Sequence, residues 1–289
     1  MKFGAYLQPT WDWRAAGNFI LGGAGGALLA AATAASYPAA PALPAVLLAV
    51  ALVGAGLGLV WLEIGRPWRA LHVFFHPQTS WMTREGSVAT VMLPLALAGL
   101  FMPSPVLLLI AGVLGLAFLY CQGRILEASK GIPAWREPAV VPLTVTTGLT
   151  EGTGLALLLL AGTGAAPRWL EALLVTLLAL RAVLWLHYRQ RLENDGVPPS
   201  TRGALDAIHG LFLWVGNLAP AALALAALAG AGGWLTVLAA GFAVAGGWHM
   251  KFVLITRAAY VQGYGVGKLQ RGRPTPKAPV RRQGDPFRL

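Results

Sequence analysis

Charged side chains are scarce in this chain. Asp, Glu, Lys and Arg make up 11% of its 289 residues, and 56% of the residues are hydrophobic, whereas soluble domains contain about 25% charged residues. This scarcity excludes an ordinary soluble globular protein. The long apolar runs instead predict an all-α fold, a polytopic bundle of transmembrane helices.

Cysteine and histidine are also rare. A single cysteine, Cys121, excludes a disulfide framework and a cysteine-ligated iron–sulfur cluster within the chain. Haem b would need two histidines that face each other on helices. The histidines lie in one connection or toward the cytoplasmic ends of predicted spans: His72, His76, His187, His209 and His249. We therefore expect neither haem nor an iron–sulfur cluster in this chain.

Acidic residues are half as frequent as basic ones, and the net charge is +11. All basic residues except Arg168 and Arg181 lie in the N-terminal segment, in the C-terminal tail, or in and beside alternate connections between apolar runs. Positive charge that flanks membrane spans stays in the cytoplasm, so both termini are predicted to be cytoplasmic. Topology and attraction to anionic lipid explain this charge, and no nucleic-acid partner is expected.

Eight apolar runs are long enough to cross the hydrocarbon core, which takes about 20 residues. We predict an interfacial segment over 1–16, an eight-helix membrane domain over 17–257 and a basic cytoplasmic tail over 258–289. The first run is expected to be a retained helix, because it is too long for a signal peptide. A kinked hairpin and a re-entrant pair both fit spans 3 and 4. The predicted spans are 17–37, 43–62, 86–102, 105–127, 139–161, 168–188, 205–229 and 234–255.

The second connection holds the densest group of polar side chains. Glu63 ends span 2 and Glu85 opens span 3, so both acids are expected near the cytoplasmic edge of the membrane, close to Arg66, His72 and His76. Carboxylate, guanidinium and imidazole groups at a hydrocarbon edge suit a quinone, whose ring is apolar and whose oxygens need hydrogen-bond partners and a proton acceptor. An ion pair between Arg66 and Glu85 that only anchors the loop explains the same pattern.

Two motifs of this connection resemble a known family. The segments Leu-Glu-Ile-Gly-Arg-Pro-Trp-Arg-Ala and His-Pro-Gln-Thr-Ser-Trp-Met-Thr-Arg-Glu-Gly resemble the NrfD-like membrane-anchor subunits of dimethyl sulfoxide reductases and polysulfide reductases. The first apolar run, with Asn18 followed by glycines, is similar to the first helix of that family. Eight spans also match its size, so the resemblance covers the hydrophobic part of the chain.

The resemblance implies a function in electron transport. Such subunits bind quinone or quinol (menaquinone or ubiquinone) beside a four-cluster-type iron–sulfur subunit, which exchanges electrons with a molybdenum or tungsten catalytic subunit. Glu85 matches an acid associated with quinol binding, and Glu63 stands where some relatives have His. A glutamate can still accept a proton, but it does not donate as a neutral imidazole does.

The resemblance also implies a site and a location. Glu85 or Glu63 is expected to exchange the proton, Asn18 and Arg66 to hold the quinone oxygens, and His72, His76 and Trp81 to complete the site. The membrane is expected to be the prokaryotic inner membrane, with the partner subunits on its cytoplasmic face.

Two further charges lie deep in predicted spans. Glu151 is about 17 Å along span 5 from Val140, at about 1.5 Å per residue, and Arg181 lies at a similar depth in span 6. Lone charges at this depth are costly, so the two are predicted to face the bundle interior and pair, directly or through water. A structural ion pair and a proton path remain alternatives, as does a secondary transporter or proton channel centred on this pair. Asn217, with Pro220 expected to free a carbonyl for water, would belong to such a site.

Overall fold

The computed structural model describes residues 2–41, 43–63, 67–161, 167–262 and 264–265. Within these ranges, eight helices are long and apolar enough to cross a membrane. They are α1 (Trp13–Ser36), α2 (Leu43–Glu63), α3 (Trp81–Phe101), α4 (Pro105–Ala128), α5 (Val140–Ala161), α6 (Arg168–Asn194), α7 (Pro199–Leu228) and α8 (Trp234–Thr256). The predicted all-α membrane bundle is confirmed.

Several helices extend past the predicted spans. Helix α3 begins at Trp81, not at residue 86, because the Ser80 hydroxyl caps it by accepting a hydrogen bond from the Thr83 N–H at 3.3 Å. Helix α6 continues to Asn194, and α7 begins at Pro199. The predicted spans mark where apolar character ends, whereas a helix continues until its capping groups end it, so the helices are longer than the spans.

Spans 3 and 4 form a hairpin of two full-length helices. The connection between them is short, and the Ser104 hydroxyl caps α4 through the Leu107 N–H. Pro105 stands at the start of that helix, where its missing N–H costs nothing. Pro94 lies inside α3, and the helix still runs on to Phe101. Of the two arrangements that the sequence allowed, the structure therefore has the hairpin.

The helices pack as two groups of four that meet at α1 and α5. In the first group α1 packs on α2 and α4, and α3 packs on α4. In the second, α5 packs on α6 and α8, and α7 packs on α6 and α8. Glycines allow the close contacts: a Cβ on Gly26 of α1 would lie 2.8 Å from the Gly115 carbonyl oxygen of α4. A Cβ on Gly152 of α5 would likewise collide with the backbone of Ala27 and Leu28 in α1. Backbones approach this closely only where side chains are absent.

In the part of the chain that the structure describes, two π-helical turns interrupt the regular helices. One covers Asn18–Gly22 in α1, and the other covers Trp214–Leu218 in α7. Each contains a buried asparagine, Asn18 or Asn217. A π-turn leaves backbone groups outside the usual ladder and is frequent at functional sites, and both turns border the polar interior described below.

The segment before α1 and the segment after α8 meet on one side of the bundle. Strands β1 (Lys2–Phe3) and β2 (Tyr6–Leu7) pair antiparallel with β4 (Tyr264–Gly265) and β3 (Tyr260–Val261), respectively. The N-terminal segment and the segment after α8 are thus on the same side, as an even number of spans requires. Of the predicted 258–289 tail, residues 266–289 lie outside the described part of the chain.

Candidate functional site

An elongated cavity of about 850 Å³ lies between α1, α2, α3 and the 3₁₀ helix Pro67–Phe75. Its lining is mainly aliphatic, aromatic and glycine residues. Gly54, Thr90 and Pro94 line it in the middle of α2 and α3 and are exposed, so the cavity reaches the lipid-facing surface there. A hydrophobic molecule could enter from the bilayer without crossing water.

At one end of this cavity Asn18 and Glu85 line the wall, and a side chain of a third helix, Gln122, supports Glu85 from behind. Glu85 of α3, Asn18 of α1 and Gln122 of α4 are all at least 95% buried. The amide nitrogens of Asn18 and Gln122 donate to the same oxygen of Glu85, Oε1, at 3.3 and 3.1 Å. Gln122 Nε2 also donates to the Asn18 carbonyl oxygen at 3.0 Å. The two amides hold the carboxyl group in one orientation.

Oxygens at this end of the cavity can still accept hydrogen bonds. Glu85 lines the cavity, and no side chain in the described ranges donates to its Oε2. Asn18 Oδ1 and Gln122 Oε1 are buried and have no hydrogen-bond partner in the described part of the chain. Buried polar atoms normally have partners, so these oxygens can serve a bound molecule or water.

Glu63, the last residue of α2, also lines the cavity. Nearby, Arg14 bridges α1 and α2, because it donates to the Leu62 carbonyl oxygen at 3.0 Å and forms an ion pair with Asp12 at 2.9 Å. The hydrogen bonds from Arg14 hold the pKa of Asp12 below its ordinary value. Asp12 therefore stays ionised and caps the start of α1.

The structure brings together part of the predicted quinone site. Asn18, Glu63 and Glu85 line the cavity, but His72, His76 and Trp81 do not. Both histidines are exposed on the connecting loop. Arg66 lies outside the described residues.

Trp81 does not line the cavity; its ring instead lies against two guanidinium groups. The guanidinium groups of Arg84 and Arg124 lie 4.1 and 4.8 Å from its ring centre. Arg84 also donates to the carbonyl oxygens of Pro77 and Gln78. Trp81 and Arg84 thus fasten the connecting loop to the bundle.

A second polar cluster lies deeper, where the two four-helix groups meet. Glu151 of α5 and Lys251 of α8 form an ion pair of 2.6 Å and are 0% and 1% exposed. Lys251 Nζ also donates to the Phe19 carbonyl oxygen of α1 at 3.0 Å. Lys251 therefore connects helices from both groups.

Glu151 and Arg181 both face the interior, as predicted, but no direct ion pair joins them among the described residues, and a pairing through water stays a prediction. Arg181 donates to Asn217 Oδ1 at 2.7 Å, to the Ala243 carbonyl oxygen at 3.0 Å and to the Gly216 carbonyl oxygen. Pro220 has no N–H to offer the carbonyl four residues earlier, that of Gly216. The carbonyl expected to serve water instead accepts from Arg181, and with its three acceptors Arg181 does not need the carboxylate.

Two residues of this interior were missed by the sequence reasoning. Lys251 was assigned to the cytoplasmic charge because it is near the end of its span, but its side chain points into the bundle. Gln122 was missed because no sequence motif marks it, whereas Asn18 lies in one and Asn217 is close to Pro220. Each is a polar residue inside an apolar span, and that signal alone could have identified both.

A scan against models of known protein families and a search of curated proteins found no match for the chain. The class of this protein is therefore defined by its fold and its candidate site. The chain is a multi-pass helical membrane protein with a lipid-accessible apolar cavity that ends at a buried carboxyl group.

Proposed function

We propose that this chain is the quinone-interacting membrane-anchor subunit of a multi-subunit molybdenum or tungsten oxidoreductase. In this function it exchanges electrons between the membrane quinone pool and a docked iron–sulfur subunit. The observation that supports this most strongly is the cavity, which is apolar along its length, reaches the lipid surface and ends at Glu85. The resemblance of the second connection to NrfD-like subunits points to the same function.

The residues of the cavity fit the chemistry of a quinol. An isoprenoid quinol has an apolar ring and tail, which the aliphatic and aromatic walls would surround, and hydroxyl groups that need acceptors. Glu85 Oε2 is the acceptor that Asn18 and Gln122 leave open. Oxidation of a quinol releases two electrons and two protons. Glu85 would take one proton and Glu63, the other carboxyl group that lines the cavity, would take the second, while both electrons pass to the partner's cluster.

In this proposal the partner subunits dock on the side where the segment before α1 pairs with the segment after α8. Arg14, Lys130, Arg136, Arg202 and Arg257 lie at the ends of helices on that side. Positive charge there indicates the cytoplasm. Because Glu63 and Glu85 are also near this side, a docked iron–sulfur cluster would be close to the cavity, as electron tunnelling needs.

Replacing Glu85 with Gln tests this proposal. The change preserves size and removes the proton acceptor, and removal of a general base typically lowers rates about 100- to 10,000-fold. We expect Glu85→Gln to lower quinol-dependent turnover of the native complex at least tenfold, with Glu193→Gln, an exposed position on α6, as the control. Turnover is followed with a water-soluble quinol analogue after mild-detergent purification that also identifies co-purifying subunits and their metals.

If Glu85→Gln kept full activity, the chain would only anchor the partner subunits and would not take part in quinol oxidation. One observation favours a different function, a secondary transporter or proton channel: three charged side chains, Glu151, Arg181 and Lys251, are buried between the helix groups. A transporter is complete alone, so repeated purification without an iron–sulfur partner or quinone would support it.

A further inference from the structure

The π-turn Asn18–Gly22 of α1 is hydrogen-bonded to side chains of two other helices. Its Asn18 carbonyl oxygen accepts from Gln122 Nε2 of α4 at 3.0 Å. Its Phe19 carbonyl oxygen accepts from Lys251 Nζ of α8, also at 3.0 Å. A π-turn departs from the regular i to i−4 ladder of an α-helix, so outside donors can help to keep its shape.

The second π-turn has the same arrangement. It covers Trp214–Leu218 of α7, and its Gly216 carbonyl oxygen accepts from Arg181 of α6. Arg181 and Lys251 are the two buried basic residues in the described ranges, and each donates to a π-turn on a neighbouring helix. This repeated pairing indicates that the buried cations keep the π-turns in shape.

The shape of the first turn decides where Asn18 points. A π-turn closes between residues i and i+5, one residue more than an α-turn. If the turn returned to a regular α-helix, the part of α1 before it would rotate by about 100° relative to the part after it. Asn18 is the first residue of the turn, and its Nδ2 lies 3.3 Å from Glu85 Oε1. That hydrogen bond therefore depends on the π-turn.

Two glycines let the outside donors reach the turn. A Cβ on Gly23 would lie 3.0 Å from Lys251 Nζ, and one on Gly22 would lie 2.9 Å from Gln122 Nε2. Glu151 holds the Lys251 ammonium group from the other side, through the ion pair of 2.6 Å. The ammonium group is thus fixed between the carboxylate of α5 and the carbonyl oxygen of α1.

We propose that Lys251 is a positioning residue of the quinol site, which keeps the π-turn in shape through the Phe19 carbonyl oxygen and so directs Asn18 at Glu85. Lys251 does not line the cavity, so it acts through Asn18 and not by contact with the quinol. Its effect on turnover rests on the proposed function, whereas its effect on the turn does not.

A carbonyl signal tests the contact on the full chain in lipid bilayers. Phe19 and Ile20 form the one Phe-Ile pair of the sequence, so [1-¹³C]Phe and [¹⁵N]Ile labels select a single peptide group by NMR. Loss of a hydrogen bond moves a carbonyl ¹³C signal upfield. We expect this shift in Lys251→Met/Glu151→Gln, which removes both charges together, and an unchanged signal would overturn the proposal.

The side-chain amide of Asn18 tests the consequence for the site. The chain has two other asparagines, Asn194 and Asn217, so ¹⁵N-labelled asparagine gives a simple spectrum in which Asn18→Ala assigns the Asn18 signal. In the double variant this signal should move because the amide leaves Glu85, while the exposed Asn194 keeps its wild-type signal. A shifted Phe19 signal with an unchanged Asn18 signal would overturn the positioning function.

Turnover of the native complex tests whether Lys251 acts through Asn18. Because misplacement of a catalytic group by about 1 Å costs up to about 100-fold in rate, we expect Asn18→Ala and Lys251→Met/Glu151→Gln each to lower quinol-dependent turnover about tenfold. Effects that remove the same interaction do not multiply, so the triple variant should be no slower than Asn18→Ala alone. Effects that multiply would overturn the proposal.

Two further variants separate positioning from general damage. Thr236→Val removes another buried hydrogen bond of α8, from Thr236 Oγ1 to Glu171 Oε1 at 2.6 Å, about 22 Å along the helix from Lys251. It should keep the wild-type Phe19 signal and turnover. Gly23→Ala leaves both charges in place, but its methyl group displaces Lys251 Nζ, so it should also move the Phe19 signal upfield. If the double variant does not fold, an unchanged signal in Gly23→Ala overturns the proposal.

Failure of this proposal is distinct from failure of the proposed function. A complex that oxidises quinol, but whose Phe19 and Asn18 signals do not respond to the loss of Lys251, keeps the proposed function and loses the positioning residue. A chain without quinol activity in which both signals respond retains the link from Lys251 to Asn18 and loses the proposed function.

Discussion

At the scale of single residues, the interior is organised by how each buried charge is neutralised. Glu151 relies on Lys251, whereas Arg181 relies on the oxygens of Asn217, Gly216 and Ala243. A buried ion pair adds little net stability compared with apolar residues, but loss of one partner is costly because the other charge stays buried. Lys251 and Glu151 should therefore behave as a unit.

Lys251→Met should destabilise the protein strongly. It leaves the Glu151 carboxylate without its ion-pair partner in the bundle interior, and breaking a buried pair costs about 3–5 kcal/mol. Unfolding of the chain in mixed micelles, followed by tryptophan fluorescence, measures the difference. The double variant Lys251→Met/Glu151→Gln should recover most of the lost stability, and a single variant as stable as the wild type would contradict this account of the pair.

At the scale of helices, glycine contacts fix how closely α1 approaches its neighbours. Gly26 faces Gly115 of α4, and Gly152 of α5 faces Ala27. Apolar helix surfaces gain no hydrophobic free energy by leaving lipid to contact one another, because lipid tails are equally apolar. Close backbone packing and hydrogen bonds therefore hold membrane helices together. The same close approach brings Asn18, Gln122 and Lys251 within reach of one another.

Gly26→Ala should lower the stability of the bundle, since its methyl group would meet the Gly115 backbone, which cannot rotate away as a side chain can. Overpacking of this kind costs about 1–3 kcal/mol. The thermal midpoint in detergent measures the effect. Gly241→Ala, where a Cβ has free space, should stay within about 0.5 kcal/mol of the wild type; equal midpoints for both variants would show that the α1–α4 contact is not tightly packed.

At the scale of the whole molecule, strand pairing and charge together determine how the protein sits in the membrane. The pairing of β2 with β3 places the segment before α1 and the segment after α8 on one side, and the distribution of Lys and Arg predicts that this side faces the cytoplasm. The cavity end with Glu63, and the proposed docking face, follow this orientation.

Cysteine labelling tests the orientation. In a Cys121→Ala background, cysteines at Ala5 and Gln262 should react with a membrane-impermeant maleimide only in inverted vesicles, and one at Ala231 only in right-side-out vesicles. All three positions are exposed. Complete reversal would place the partner face outside the cell, and opposite results for Ala5 and Gln262 would disprove the strand pairing.

The sequence predicted the fold class and the number of spans because both depend on the length and composition of continuous runs. Asn18, Glu63 and Glu85, which it grouped, line one cavity. His72, His76 and Trp81, which it grouped with them, do not line that cavity, because nearness in sequence does not say which way a side chain points.

What the sequence by itself determined is an eight-span helical membrane protein whose polar residues collect near one side, since the hydrocarbon core tolerates few alternatives to apolar helices. Only the tertiary structure decided which buried polar groups meet. Glu151 pairs with Lys251, Arg181 takes the carbonyl oxygen of Gly216, and Gln122 supports Glu85. The physical reason is that these partners lie on different helices, whose rotation and closeness are set by glycine contacts across the whole bundle.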